Sequence, residues 1–257
     1  MQKTIKDTAE FYKEHKYCVI KNFIPVQMAE YLYAYAHLRS KRASTMVQRK
    51  WPNYSESSDG GFTQPQCPGV YSCYGDPAME TLLAQGLKQM QTITKLNLIP
   101  TYAYWRLYRE GDVLRRHKDR ASCEVSTTLF LGHNIDNLKD RKKNWQDYQW
   151  PMWVDESGGF GKKGKALNLN PGDMILYRGC DIEHWREPFL GNNHAQVFLH
   201  YNNLNGPYGK DMLFDARPHL GLPAEFRDRQ IVGNMRKLDK EIAKKRVHAR
   251  KNPFSYY

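Results

Sequence analysis

The chain has 257 residues, close to the limit of what one hydrophobic core organises, and its 40% hydrophobic and 13% aromatic content excludes a disordered chain. Five cysteines (Cys18, Cys67, Cys73, Cys123, Cys180), odd in number and without a CxxC pair, exclude a disulfide framework and a zinc knuckle; with no apolar leader and no membrane span, a soluble, cytoplasmic protein is expected. The formal charge of +12 admits an acidic partner, but +7 of it lies in the last 31 residues, where ten Lys/Arg face three Asp/Glu from Arg227 onward.

Residues 5–16 read as a short amphipathic helix and YCVIKNFI (17–24) as a strand. Pro25 opens a second helix, VQMAEYLYAYAHLRS, where its missing N–H costs little. Residues 51–76, rich in Ser, Gly, Pro, Asn and Gln, predict a long surface excursion. Met79, Leu82, Leu83, Leu87 and Met90 mark a helix over 78–95. From Leu98 the grammar changes. TYAYWRLY, CEVSTTLFLG, KALNLN, GDMILYRG and AQVFLHYN are short strand-like runs separated by turns, which predicts a mainly β fold, a sandwich or jelly roll, with flanking helices.

Trp145, Tyr148, Trp150 and Trp153 fall in a loop over 138–165 that reads equally as a lid stacking on substrate or as an accessory strand packed on the barrel. Ile231, Met235, Leu238 and Ile242 then give a final helix a stripe that packs on the domain or on a second subunit. The expected organisation is one domain over 1–226, with N-terminal helices (5–95) packed on a jelly-roll core (98–203), and a basic helical extension over 227–257.

The chemistry-bearing signal is His117-Lys-Asp119. An HxD alone is weak evidence. On an extended strand, however, residues two apart share a face, so the imidazole and the carboxylate converge on one ion. His184, which follows a Gly turn and an apolar strand in GDMILYRGCDIEH, is placed to supply the third ligand from another strand. Two His and one carboxylate suit non-haem Fe(II), because they leave coordination positions open for a chelating co-substrate and for O₂.

These residues resemble the Fe(II)/2-oxoglutarate oxygenases, and within them the prolyl-4-hydroxylase-like branch. The likeness runs from about Tyr17 to Asn202: YCVIKNFIP resembles that branch's opening strand and turn, YREGDVLRRHKD its HxD block, and GDMILYRGCDIEHWREPFLG its distal-His block, 65 residues separating Asp119 from His184. The resemblance implies a double-stranded β-helix (jelly roll, cupin-like) core. It also implies Fe(II) held by His117, Asp119 and His184, 2-oxoglutarate as co-substrate, and O₂ divided between substrate and succinate. The carboxylate at Asp119 favours hydroxylation over halogenation. Tyr108, nine residues before His117, stands where related enzymes place a tyrosine for 2-oxoglutarate.

The chain departs from the pattern at the cation for the remote 2-oxoglutarate carboxylate, since Asn193 and His194 stand where relatives carry Arg or Lys. A buried anion needs a partner. Arg186 is the first candidate anchor and Arg106 the second, with Gln196 or His200 as neutral donors. Arg116, Arg120 and Glu124 read equally as substrate contacts or as solvated or paired strand residues. His133, His194 and His219 read as local hydrogen-bonding groups. The substrate implied is a peptide or protein segment, a prolyl residue first, or a free amino acid or other small molecule. Two alternatives remain: the same iron site applied to nucleic acid, helped by the basic tail, and a cupin-like binding module with structural histidines and no catalysis.

Overall fold

The computed structural model describes residues 5–157 and 163–251. Helix α1 (Ile5–His15) leads into strand β1 (Tyr17–Ile20), and α2 (Val26–Gln48) starts directly behind Pro25. The stretch over 51–76 is more ordered than its composition suggests, since it holds α3 (Glu56–Asp59) and β2 (Tyr71–Tyr74). Helix α4 (Pro77–Thr94) is set by its sequence: the Asp76 carboxylate accepts from the Ala78 and Met79 N–H groups at 3.0 and 3.4 Å, and Pro77 occupies the first turn. The strands β3 (Leu98–Arg109), β4 (Leu114–His117), β5 (Val125–Asn134), β6 (Met152–Asp155), β7 (Lys165–Leu167), β8 (Met174–Tyr177), β9 (Glu183–Arg186) and β10 (Asn193–Asn203) follow, and α5 (Arg229–Lys251) closes the described chain.

The strands form two antiparallel sheets, one of six in the order β1-β8-β5-β10-β3-β2 and one of four in the order β4-β9-β6-β7. More residues are helical than extended, so the mainly β expectation is corrected to a mixed α/β fold. Its cause is length: α2, α4 and α5 each exceed any strand, and several strands are only three or four residues long.

Period-two alternation on the central strands sorts the interior into two compartments. On β10, Ala195, Val197, Leu199 and Tyr201 join Ala103, Trp105 and Leu107 of β3 in a core against Ala29, Leu32 and Ala36 of α2 and Leu83 and Met90 of α4. Truncating a side chain such as the fully buried Trp105 to Ala would cost about 3–5 kcal/mol. The alternate residues face the space between the sheets: His194, Gln196, Phe198 and His200 lie in register with Tyr108, Arg106, Tyr104 and Tyr102. The polar and ionisable residues of both strands therefore share one compartment.

The aromatic loop takes the accessory-strand form. Trp153 is part of β6, its ring stacked on Trp185 of β9 at 6.2 Å, while Tyr148 and Trp150 are buried with Phe189 and Tyr108. The Trp150 indole N–H donates to the Glu187 carbonyl at 2.6 Å. Residues 158–162 of that loop, and 252–257 of the C-terminal extension, lie outside the described residues.

The stripe on α5 packs on its own chain: Ile231, Val232, Met235, Leu238 and Ile242 sit against Ala121, Cys180, Tyr208, Met212 and Ala216. Asp239 pins the helix by accepting from the Ala121 N–H at 3.1 Å and the Tyr208 hydroxyl at 3.2 Å. No helix among the described residues is long and apolar enough to cross a membrane, and all five cysteines are buried and outside any disulfide.

Candidate metal centre

His117 ends β4 and His184 lies on β9, where the two are register partners. Asp119 stands just beyond β4 rather than on it, so the strand-face expectation holds for His117 alone. Its backbone does the remaining work: the Asp119 N–H donates to the Gly179 carbonyl at 2.9 Å and turns the carboxylate inward. Asp119 Oδ1 is 3.5 Å from His117 Nε2 and 3.5 Å from His184 Nε2, and the two imidazole centroids are 4.3 Å apart.

These distances fit a shared ion. Metal–ligand bonds of about 2.1 Å at right angles put donor atoms roughly 3 Å apart, so a small contraction would seat one. Both rings are oriented in the same way, with Nδ1 against the carbonyl two residues back: Arg115 at 2.6 Å for His117 and Ile182 at 3.1 Å for His184. An Nδ1–H donated there leaves each Nε2 lone pair facing the ion. The Ser126 hydroxyl donates to Asp119 Oδ2 at 2.7 Å, which frees Oδ1 for the metal side. Burial alone would push the Asp119 carboxyl up, but the His184 charge and the hydrogen bonds from His117 and His184 outweigh it and hold it well below the usual carboxylate range. The donor set is a carboxylate and two imidazoles, which suits Fe(II).

Asp119, Cys123 and His200 form a second group of closely spaced donors. Cys123 makes it a poor site. Burial, with the Asp119 charge behind it, pushes that thiol well up, and a protonated thiol is no ligand. His200 Nδ1 is already engaged with the Ser126 hydroxyl at 2.9 Å.

A cavity of about 450 Å³ opens on the triad, and Tyr102, Tyr104, Arg106, Arg120, His200 and Arg227 contribute to its walls. Arg106 is buried yet has no carboxylate partner among the described residues. Its guanidinium donates to Gln66 Oε1 at 2.5 Å and to the Tyr108 hydroxyl at 3.3 Å, and Nε has no partner.

Arg186, deeper inside, is equally without a carboxylate among the described residues. It donates to the Trp150 carbonyl and lies over the Trp150 ring at 4.6 Å, and burial draws its pKa down to about 10. Gln196, oriented so that both ends of its amide are satisfied, accepts from Arg186 Nη2 and His194 Nε2 at 2.9 Å each and donates to Thr128 and the Leu129 carbonyl. Arg186, Gln196 and Tyr108 do not contribute to the walls of the open cavity, whereas Arg106 and His200 do. His194 supplies no cation in the place of the missing Arg or Lys: it stacks on Phe130 at 4.3 Å, and burial keeps its imidazole neutral.

Arg116 faces away from the cavity, bound to Asp155 and, at 2.6 Å, to Glu183. Glu124 serves the fold, accepting the Asn203 N–H at 2.9 Å. Arg120 does face the cavity.

Ser126, Gly179, Asp215 and Arg227 emerge only from the structure. Gly179 sits inside the distal-His block and Ser126 in the strand-like run CEVSTTLFLG just after the HxD block, the signals that would have marked them, whereas Asp215 and Arg227 come from a segment with no local motif.

No sequence-family model matches the chain, and no curated protein does. Solved structures do share its fold. A Pseudomonas putida prolyl-4-hydroxylase superposes with a TM-score of 0.57 at 15% identity, over 78% of this chain and 99% of that one. A 2OG-Fe(II) oxygenase-family oxidoreductase from Burkholderia pseudomallei gives 0.50 at 13% identity, over 80% and 93%. EctD from S. alaskensis gives 0.51 at 16% identity, over 79% of each chain.

Proposed function

We propose that the chain is a non-haem Fe(II)- and 2-oxoglutarate-dependent oxygenase that hydroxylates an unactivated C–H bond. The observation that carries this is the convergence of His117, Asp119 and His184 at the mouth of a cavity, in a fold shared with 2-oxoglutarate oxygenases. We read β3 to β10 as the eight strands of a double-stranded β-helix. Their even division, β3, β5, β8 and β10 against β4, β6, β7 and β9, supports that reading.

In this scheme the triad holds Fe(II), which supplies O₂ activation coupled to oxidation of 2-oxoglutarate to succinate. The protein's own residues orient and neutralise. Arg115 and Ile182 carbonyls fix the imidazoles, Ser126 fixes the carboxylate, and Tyr108 with Arg106 and Arg186 takes the remote carboxylate of 2-oxoglutarate. Two buried guanidinium groups beside one tyrosine, neither with a carboxylate partner among the described residues, support that last assignment, which would make up for the lack of an Arg or Lys at Asn193 and His194.

We take residues 1–226 as the catalytic unit and 227–257 as an extension that nonetheless lends Arg227 to the cavity wall. A reducing, cytoplasmic setting agrees with five cysteines that form no disulfide. A prolyl residue of a peptide is one substrate candidate, on the likeness to a prolyl-4-hydroxylase, and a small molecule is the other.

Anaerobic titration with Fe(II) and 2-oxoglutarate tests the function. The wild type should develop the weak metal-to-ligand charge-transfer absorption of a chelated 2-oxo acid and release succinate on exposure to O₂, and His184→Ala should do neither. Iron binding without that absorption would reject the co-substrate. No stoichiometric iron binding would leave a cupin-like binding module.

A further inference from the structure

The same cavity holds a second cationic device, in which the segment that follows β10 meets Arg120. Asp215, 1% exposed, accepts a bidentate pair of hydrogen bonds from Arg120 at 3.0 and 2.9 Å. It also accepts from Arg227 at 3.4 Å and from the Tyr74 hydroxyl at 2.7 Å. Both arginines line the cavity that holds the triad. Under them is an aromatic floor: Tyr74 and Tyr102 stack at 4.9 Å, with Arg120 over Tyr102 at 4.7 Å and Arg227 over Tyr74 at 5.4 Å.

The backbone goes out of its way to make this arrangement. Phe214, Asp215 and Ala216 are consecutive non-glycine residues in the left-handed region, with φ of 52, 57 and 61°. Strain of this kind persists only where the surroundings hold it, and it gathers at ligand-binding sites.

The charges do not balance. Two guanidinium groups share one carboxylate, which leaves a surplus of one positive charge, and among the described residues Arg227 Nη2 has no hydrogen-bond partner. A single carboxylate closes the set at two cations and two anions; a doubly charged phosphate would overshoot it. Arginine presents its N–H groups as a fork that matches a carboxylate in geometry as well as in charge.

We infer that Arg120 and Arg227, clamped by Asp215, bind a carboxylate of the substrate, so that the compound oxidised is a carboxylic acid, held by its acid group with a C–H bond turned to the triad. This rests on the oxygenase proposal for its chemistry but on different residues for its geometry. Because Arg120 directly follows the ligand Asp119, the acid group would also set which carbon meets the metal.

Calorimetry with the anaerobic protein loaded with Fe(II) and 2-oxoglutarate tests it, using N-acetyl-L-glutamate, its carboxylate-free diamide N-acetyl-L-glutaminamide and a short acidic peptide as probes. The acids should bind about 10- to 100-fold more tightly than the amide, and Arg227→Ala should erase that preference while Arg227→Lys retains part of it. Asp215→Asn should lose the preference as well, through disorder of both arginines. Tighter binding of the peptide places the carboxylate on a chain segment, and tighter binding of the free acid places it on a metabolite.

Equal binding of acid and amide, a preference that survives Arg227→Ala, or no binding of either acid would overturn the inference. The charge-transfer absorption of the same samples separates the two levels: if it is absent in the wild type, the oxygenase proposal fails on its own account.

Discussion

His117 and His184 are register partners on adjacent antiparallel strands, and their rings face each other at 4.3 Å. Two imidazole nitrogens and a carboxylate oxygen gathered this closely offer a cation a place between them. Metal binding should therefore stabilise the fold. At a free Fe(II) concentration about 100 times the Kd, linkage gives about 2.7 kcal/mol, or a rise of roughly 5–10 °C in melting temperature for a chain of this size. Anaerobic scanning calorimetry should show that rise in the wild type and not in His184→Ala. Equal rises in both would place the ion elsewhere.

Gly179 and Ser126 should matter to the metal without touching it. A Cβ on Gly179 would collide with Asp119 Oδ2, the Cys123 carbonyl and the Ser126 hydroxyl, all well inside van der Waals contact. Gly179→Ala is expected to push the carboxylate off its line and weaken metal affinity by about 10- to 100-fold, and Ser126→Ala, a gentler change that only frees Oδ2, by about 10-fold. Titration with Mn(II) checks both. Unchanged affinity in Ser126→Ala would show that the Gly179 carbonyl alone orients Asp119.

The triad was legible because each ligand sits in a strand-and-turn grammar that a sequence displays: His117 after a Gly turn, and His184 after an apolar strand and a second one. Period-two alternation likewise gave the faces of β3 and β10. Asp119 was harder to place, since a backbone hydrogen bond to Gly179, 60 residues away, holds it where strand geometry does not. The fold class leaned too far toward β because α2 runs on to Gln48 and several strands are only three or four residues long, and which partner the α5 stripe takes, Met212 and Tyr208 of its own chain, rests on contacts that no local pattern announces. Arg227 and Asp215 were invisible for the same reason: their function arises from a strained turn that brings them beside Arg120.

Arg106 and Arg186 separate two ways of anchoring an anion. Arg106 lines the cavity and keeps an unpartnered Nε, so Arg106→Gln should raise the 2-oxoglutarate Kd by about 10- to 100-fold and leave Mn(II) affinity within a few-fold of wild type. Arg186 is also bonded to the Trp150 carbonyl and Gln196, so Arg186→Met should lower thermal stability as well as affinity. Calorimetric Kd values for 2-oxoglutarate, set beside melting temperatures, decide between them. A larger loss of affinity in Arg186→Met than in Arg106→Gln would move the direct contact to Arg186.

Asp215 carries a signed pH dependence. Burial by itself would push its carboxyl up, but the Arg120 charge and the hydrogen bonds from Arg120 and Tyr74 prevail and lower its pKa to about 2. A carboxyl whose pKa is depressed on folding contributes stability above the unfolded value near 4 and loses it as pH falls toward 2. The shift from 3.8 to about 2 corresponds to about 2 kcal/mol, which offsets roughly a third to two thirds of the cost of holding Phe214, Asp215 and Ala216 in the left-handed region, on the order of 1–2 kcal/mol for each of them. Asp215→Asn removes the charge but keeps the shape. Denaturant titrations should find it less stable than wild type by about 2 kcal/mol at neutral pH, with the gap closing between about pH 4 and pH 2 as the wild-type carboxyl takes up its proton. A gap that stays constant across that range would mean that the hydrogen bonds to Arg120 and Tyr74, not the charge, hold the turn, and the two arginines would then keep their places in the uncharged variant.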